Sequence, residues 1–371
     1  RKVLKMIPLC IPEIKGNEWK YVKECLDTNW VSSVGSYVNK FEEDFAKYQN
    51  AKAAVVTMNG TAALQLALET LGIGEGDEVI VSSMTFISPV NTIKYVGATP
   101  VFVDVNRDTF VMDANKVEEL ITEKTKAIMP IHIYGYPVDM DKINEIAKKH
   151  GLYVIEDATE ALGSTYKGKK LGSIGDIGCF SFNGNKLITT GAGGMLVTNN
   201  EKWGERAKYL STQTKTILDN GAFYHKEVGY NFRMPNLLAA VGVAQLEKVP
   251  EYLEVKISNA KMYNDLLKDV KGITLVKNDD NEVCNCYWLY SVLVEEDFPV
   301  GRDELISILK DNEIGARPFF MPVHEMPPYL NCHKGDMSVT KEISLKGINL
   351  PSSVSLTEEE IKKICAVIKN I

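Results

Sequence analysis

The 371-residue chain has no apolar run approaching the ~20 residues that a membrane-spanning helix needs. It also lacks a surplus of basic charge, a low-complexity tract, an internal repeat and a second cysteine pair that could complete a metal knuckle. Each absence narrows the reading. Nothing points to a bilayer, and the opening Arg1-Lys-Val-Leu-Lys-Met-Ile-Pro8 is too short for a signal peptide. With 42 Lys and Arg against 49 Asp and Glu, the formal net charge of −7 argues against general affinity for nucleic acid or anionic membranes. Small basic pockets for a phosphorylated substrate stay open. The seven cysteines are odd in number and scattered, and Cys284-Asn-Cys286 stands alone, so no zinc or other metal site is expected. Reduced thiols in a cytoplasmic protein are the expectation. The glycines of Leu171-Gly-Ser-Ile-Gly-Asp-Ile-Gly178 recur every third residue and do not form G-x-G-x-x-G. No strand–helix unit follows them, which sets nicotinamide binding aside.

What is present suits a large α/β protein. The chain is 45% apolar and 25% charged, enough for an ample core shared by two domains. Short β-branched runs predict strands at Ala53–Thr57, Glu78–Ser82, Thr99–Asp104, Ala127–Ile131, Tyr153–Glu156, Ile177–Phe182 and Met195–Thr198. Helical spacing falls between them at Thr61–Leu71, Pro89–Val96, Ala114–Ile121 and Met140–His150. That alternation predicts a wound α/β sheet, mostly parallel. A helical stretch over Leu237–Lys268, broken or kinked at Pro250, marks a change of rhythm. Strands at Ile273–Val276 and Tyr287–Val294 and helices at Arg302–Asn312 and Thr357–Lys369 follow, the last opened by a capping Thr with Glu three residues on. The expected domains are 1–245, large, and 246–371, a smaller α+β unit.

The chemistry centres on Lys186, in Ser181-Phe-Asn-Gly-Asn-Lys186, followed by Gly191-Ala-Gly-Gly194. A lone lysine is ordinarily solvated. Serine, asparagine and glycine packed around one suit a lysine that forms a Schiff base with a bulky planar cofactor. Val154-Ile-Glu-Asp-Ala-Thr-Glu-Ala161 reads as a strand ending in Asp157, an acid suited to a protonated pyridine nitrogen. Lysine with a distant aspartate is the pair that pyridoxal 5'-phosphate (PLP) chemistry requires. Thr57-Met-Asn-Gly-Thr-Ala-Ala-Leu64 is a strand end, glycine turn and helix start, where Gly60, Thr61 and the later Ser181 suit a phosphate; a helix merely capped by a threonine is the plainer reading. Phe86 is placed to stack on a ring or to fill a core. His132 is equally a core histidine or a cofactor neighbour. Asn231 and Arg233, in Gly229-Tyr-Asn-Phe-Arg233, lie in a loop suited to reaching a neighbouring subunit.

These motifs together resemble the PLP-dependent nucleotide-sugar aminotransferases of the DegT/DnrJ/EryC1/StrS family. The likeness runs nearly the whole length and rests on Asn59-Gly-Thr-Ala-Ala-Leu64, Thr85-Phe86, Glu156-Asp-Ala-Thr-Glu-Ala161, Ser181-Phe-Asn-Gly-Asn-Lys186, Gly191-Ala-Gly-Gly194, Gly229-Tyr-Asn-Phe-Arg233, Ala239-Ala-Val-Gly242 with Gln245-Leu246, and Leu350-Pro351. It implies an aspartate-aminotransferase-like fold (PLP fold type I) with a mostly parallel seven-stranded sheet in the large domain. It implies Lys186 as the Schiff-base lysine, Asp157 on the pyridine nitrogen, Gly60, Thr61 and Ser181 on the phosphate, Phe86 on the ring, and Asn231 arriving from a second subunit of a homodimer. Glu160 stands beside the phenolic oxygen where many members have Gln. Members also often carry Glu in place of Ala192 and His-Pro in place of Asn183-Gly184.

Asn-Gly-Asn-Lys186-x-Ile-Thr-Thr, Phe223-Tyr-His225 and Gly315-Ala-Arg-Pro-Phe319 are most similar to enzymes of legionaminic-acid and bacillosamine pathways. The expected reaction therefore moves the amino group of L-glutamate to C4 of a UDP-4-keto-6-deoxy-N-acetylhexosamine, with Lys186 as the proton-moving base. The alternatives are a GDP- or dTDP-4-keto-6-deoxy sugar of the perosamine type, or amination at C3. Lys15, Trp30, Asn185, Arg233, Arg317 and His324 are the candidate substrate contacts. A desulfurase using Cys332 lacks a histidine before Lys186 and an activating base. A sugar dehydratase would replace the lysine by histidine, and a non-catalytic sugar-binding protein would have no need of it.

Overall fold

The computed structural model describes residues 6–277 and 282–371. Its central sheet has seven strands: β1 (Ala53–Thr57), β2 (Glu78–Ser82), β3 (Thr99–Val103), β4 (Thr125–Met129), β5 (Tyr153–Asp157), β6 (Ile177–Ser181) and β7 (Gly194–Thr198). Their order is β1-β7-β6-β5-β4-β2-β3. β7 runs antiparallel to β1 and β6, and the remaining adjacent pairs are parallel. The runs are β-branched and buried along nearly their whole length, as a sheet covered on both faces requires. The expected strands are all present, displaced at their ends by one or two residues.

One helical expectation needs correction. Ala114–Ile121 is two short 3-10 segments, Ala114–Lys116 and Glu118–Leu120. Asp113 ties down Asn115 N–H at 3.1 Å, and Val117 and Leu120 are both buried. Their three-residue spacing suits a 3-10 turn as well as an α-helix. The long stretch divides into Asn236–Leu246 and Val249–Leu267. The break falls before Pro250, which sits in the first turn of the second helix, where its missing N–H goes unused.

A second sheet orders Ile273–Leu275, Tyr290–Val294, Gly347–Leu350 and Arg317–Pro318, all antiparallel. The helix Glu358–Lys369 opens with the expected capping box between Thr357 and Glu360. Asp104, just past β3, fastens this region to the large sheet. It is buried and accepts from Thr340 N–H at 2.8 Å, Thr340 Oγ1 at 2.7 Å and Lys116 Nζ at 3.0 Å. The beginning of the described chain also packs here. Ile7 N–H donates to Glu313 O and Ser352 N–H to Leu9 O, each at 2.8 Å.

The glycine-spaced run Leu171–Gly178 wraps a buried carboxylate. Glu156 accepts from the N–H groups of Gly172, Ile174 and Gly175 at 2.6–2.7 Å and from His132 Nε2 at 3.1 Å. His132 Nδ1 in turn accepts from Val138 N–H at 3.1 Å, so Nε2 carries the proton and the ring is a satisfied core histidine. A Cβ on Gly178 would lie 2.0 Å from Gly172 O, which explains why the run needs glycine there.

Candidate active site

The carboxyl ends of β1, β5 and β6 open onto one cavity of about 370 Å³, in the position where open α/β sheets bind ligands. Gly60, Thr61, Phe86, Asp157, Glu160, Ser181, Asn185, Lys186 and Arg317 all line it.

One wall is the start of the helix Gly60–Thr70. Its cap is Asn59, whose side chain accepts from Ala62 N–H at 2.8 Å, so the threonine-cap reading of Thr61 is corrected. The Thr61 hydroxyl instead donates to Ser88 Oγ at 2.9 Å, on the cavity wall. The first N–H groups of a helix have no intrahelical carbonyl, which makes Gly60 and Thr61 donors for an anion. A Cβ on Gly60 would stand 2.9 Å from Ser181 Cβ. Helix start and β6 therefore meet closely enough to share one small ligand group.

The opposite wall carries the ionisable cluster. Asp157 is 3% exposed and accepts from Thr159 N–H at 3.0 Å. Burial pushes its pKa up, against the Thr159 hydrogen bonds and the nearby Lys186 charge. Glu160 Oε2 accepts from Tyr134 N–H at 2.8 Å, and Oε1 lies 3.6 Å from Lys186 Nζ. Burial raises its pKa to about 7, against the Lys186 charge. Lys186 Nζ also sits over the Trp288 ring, 3.8 Å from its centroid. The indole N–H of Trp288 donates to Asn185 O at 2.7 Å. Phe86, 55% exposed, stands 6.0 Å from Phe320 between ring centroids, and both face the cavity.

Trp288, Phe320, Thr159 and Ser88 are absent from the expected site. Trp288 comes from the C-terminal region, where nothing local marks it; Phe320 directly follows the motif Gly315–Phe319, and Ser88 and Thr159 lie two residues beyond residues already singled out. Four expected substrate contacts lie elsewhere. Arg233 is 8% exposed and its guanidinium is committed to Glu42, which also holds Val56 N–H and Lys208. His324 is buried behind the wall, with Nδ1 against Ser83 Oγ at 2.7 Å. Lys15 pairs with Glu13 at 3.4 Å, and Trp30 is exposed beside Asn236, so neither lines the cavity. Asn231 is exposed, bridges Thr212, and does not line this chain's cavity. Cys332 is likewise outside it, and burial holds its thiol pKa up, which disfavours a nucleophile there.

The model of the DegT/DnrJ/EryC1/StrS aminotransferase family matches residues 12–369. The chain belongs to this family. It is 44% identical over 362 residues to a GDP-perosamine synthase of Escherichia coli O157:H7, covering 98% of this chain and 97% of the relative. A GDP-perosamine synthase of Caulobacter vibrioides is also 44% identical, over 99% of both chains. Among solved structures, the aminotransferase TlmJ from Streptoalloteichus hindustanus is similar with a TM-score of 0.93 at 28% identity, covering 98% of each chain. A putative sugar aminotransferase from Streptococcus pneumoniae, Spr1654 in its PMP form, matches with the same TM-score, identity and coverage. The fold is that of the aminotransferases, and the chain is a PLP-dependent nucleotide-sugar aminotransferase.

The residues fit PLP on their own geometry. The cavity offers an anion cradle at the helix start, a lysine amine on one wall and a buried carboxyl whose ionised form is disfavoured by burial despite the nearby Lys186 charge. A ring N–H⁺ delivered to Asp157 would favour that ionised form. Among the described residues no helix is long and apolar enough to cross a membrane, and no cluster of three or more His, Cys, Asp or Glu could hold a metal ion.

Glu160 gives a pH prediction for the cofactor-free protein. Its carboxyl titrates near 4.5 unfolded and about 7 folded, so the folded state binds the extra proton between those values. Stability should fall as pH rises through that window. Glu160→Gln removes the ionisation. Relative to wild type, the variant should gain stability between pH 4.5 and 8, by at most on the order of 3 kcal/mol. Urea melts of both proteins at the two pH values measure this. An unchanged difference between them would show that Glu160 stays ionised throughout.

Proposed function

We propose that this aminotransferase moves the amino group of L-glutamate to C4 of a GDP-linked 4-keto-6-deoxyhexose. The observation that carries this reading is 44% identity over essentially the whole chain to two GDP-perosamine synthases. A relative named for UDP-4-amino-4-deoxy-L-arabinose stands at 33%. The comparison favours the GDP alternative over the UDP-4-keto-6-deoxy-N-acetylhexosamine first expected from local motifs. The test offers GDP-, UDP- and dTDP-4-keto-6-deoxy sugars with glutamate and weighs the products. The GDP sugar should show a kcat/KM at least ~100-fold above the others. A UDP-N-acetyl sugar used equally well would overturn the assignment.

In this reading PLP supplies an electron sink and a carbonyl that carries the amino group between the two substrates. The protein supplies placement and proton control. Gly60 N–H, Thr61 and Ser181 hold the phosphate against the helix start. Phe86 covers one ring face. Asp157 keeps the ring nitrogen protonated. The Lys186 amine would take the proton from the glutamate Cα and deliver it to the cofactor's C4′ on the far side of the nitrogen, reversing the order for the sugar. It does so from a wall where Glu160 lies 3.6 Å from its nitrogen. Arg317, on the cavity rim, is a cation suited to the sugar diphosphate or to a glutamate carboxylate.

We further propose a homodimer in which Asn231 of each copy completes the phosphate site of the other. Its exposure outside its own cavity supports this, as does the exposed apolar ribbon nearby, with Ile217, Phe223, Tyr224 and Val228. Mixing inactive Lys186→Ala subunits with inactive Asn231→Asp subunits should restore activity, since one site of each mixed dimer then carries neither defect. A mixture that exchanges subunits and stays inactive would assign Asn231 to its own chain.

A further inference from the structure

Lys256 is a lysine for which neither the proposed reaction nor a surface role offers a use. It lies on the helix Val249–Leu267 and is 3% exposed. Among the described residues no carboxylate pairs with it, and burial holds its pKa below the usual lysine range. Its ammonium donates to two backbone oxygens: Trp288 O at 2.9 Å and Ser352 O. A buried ammonium without a counter-ion is costly unless its donors are used for something specific. Here one of them goes to the main chain of Trp288, the residue whose ring covers Lys186, and the other to the main chain of Ser352.

The surroundings of Trp288 are over-determined in the same direction. Its carbonyl takes a second donor, Ser352 Oγ, at 2.9 Å. Tyr287, immediately before it, has φ +49°, a left-handed conformation that a bulky aromatic rarely adopts. Such strain persists only where neighbouring contacts enforce it, and it gathers at functional sites. On the other side Trp288 stacks on Tyr134, at 6.3 Å between centroids and 23° between planes. Tyr134 is itself at φ +55° and gives its N–H to Glu160. Two left-handed residues thus flank the indole that meets Lys186, Tyr287 before it in the chain and Tyr134 against its ring, and Lys256 anchors the main chain of that indole.

We propose that Lys256 is a positioning residue that fixes the Trp288 indole over Lys186 and so sets the orientation from which the Lys186 amine works. The inference rests on the assignment of Lys186 as the working amine. The path is short: Lys256 Nζ to Trp288 O, Trp288 Nε1 to Asn185 O beside the lysine, and the indole face to Lys186 Nζ. An ammonium over an indole face is held by the ring quadrupole as well as by contact. Releasing the Trp288 main chain frees both.

The test compares Lys256→Met, Trp288→Phe, their double variant and Ser352→Ala with wild type. In cofactor-free protein, brief acetic anhydride labelling is quantified lysine by lysine through peptide mass spectrometry. Lys256→Met and Trp288→Phe should each raise labelling at Lys186 by about threefold or more as the amine loses its cover. The double variant should add nothing to Trp288→Phe, since both act through one contact. Other lysines should label as before, which a general loosening of the fold would not produce. In the holoenzyme kcat should fall about tenfold with little change in KM for the nucleotide sugar. Unchanged labelling at Lys186 in folded Lys256→Met overturns the anchor. Raised labelling with unchanged kcat overturns the positioning role, because the amine then works equally well without its cover; the assignment of Lys186 itself fails only if Lys186→Ala stays active. If Lys256→Met does not fold, Ser352→Ala decides, because it removes a donor on the same carbonyl with a smaller change.

Discussion

Lys186→Ala is expected to leave a folded protein with less than about one thousandth of the wild-type turnover. The fold should survive because the side chain stands at a cavity wall, 13% exposed, after β6 has ended, and supports no sheet or helix contact. Among the described residues its ammonium meets the Trp288 face and Glu160 at 3.6 Å. In the proposed mechanism a neutral methyl in its place removes the amine that bonds the cofactor and moves the substrate proton, and among the described residues no second lysine lines the cavity. The cofactor should still enter, because the phosphate cradle at Gly60, Thr61 and Ser181 is intact, but a borohydride-treated sample should carry no covalent label. Circular dichroism checks the fold, and single-turnover kinetics with glutamate check the chemistry. An alanine variant turning over within tenfold of wild type would remove Lys186 from the mechanism.

Lys186, Asp157, Gly60 and Ser181 are legible in the sequence because each sits at a strand end beside glycines, and that pattern is local. The same locality made the seven strands readable, since a buried parallel strand is a continuous apolar run. Contacts set by distant segments are not legible. Arg233 reads as a loop cation, but Glu42, 191 residues away, takes it out of reach of a substrate. Trp288 reads as one aromatic among several before a strand, and its place over Lys186 depends on Lys256 and Ser352 arriving from two other elements. Some missed structure did carry a signal. Tyr37, Phe41 and Phe45 recur every four residues and are the buried face of the helix Ser36–Gln49, a period that the strand-first reading passes over. The glycine spacing of Leu171–Gly178 is legible, yet its purpose, three N–H groups turned onto Glu156, depends on a tertiary partner.

Asp157→Asn is expected to act in opposite directions on the cofactor-free and the working protein. Without the cofactor the buried carboxyl is a burden: desolvation raises its pKa despite the nearby Lys186 charge, so the folded state binds a proton more tightly than the unfolded chain does. By linkage, its contribution to stability diminishes as pH rises above the unfolded carboxyl value. The neutral amide keeps the shape, can still accept from Thr159 N–H, and escapes that cost. The cofactor-free variant should therefore melt higher than wild type at neutral pH and lose the advantage in acid. Turnover should move the other way. The carboxylate's pairing with a ring N–H⁺ matters most when the ring accepts electrons from the substrate carbon, which is a transition-state property. Proton removal from glutamate should slow by at least ~100-fold, with much smaller change in KM for the sugar. Deuterium at the glutamate Cα should then slow the variant more than wild type, because that step becomes limiting. A variant in which KM alone rises would assign Asp157 to substrate binding. One equally active and equally stable would show that the charge of this buried acid has no part in the chemistry, and that its place at the end of β5 is purely architectural.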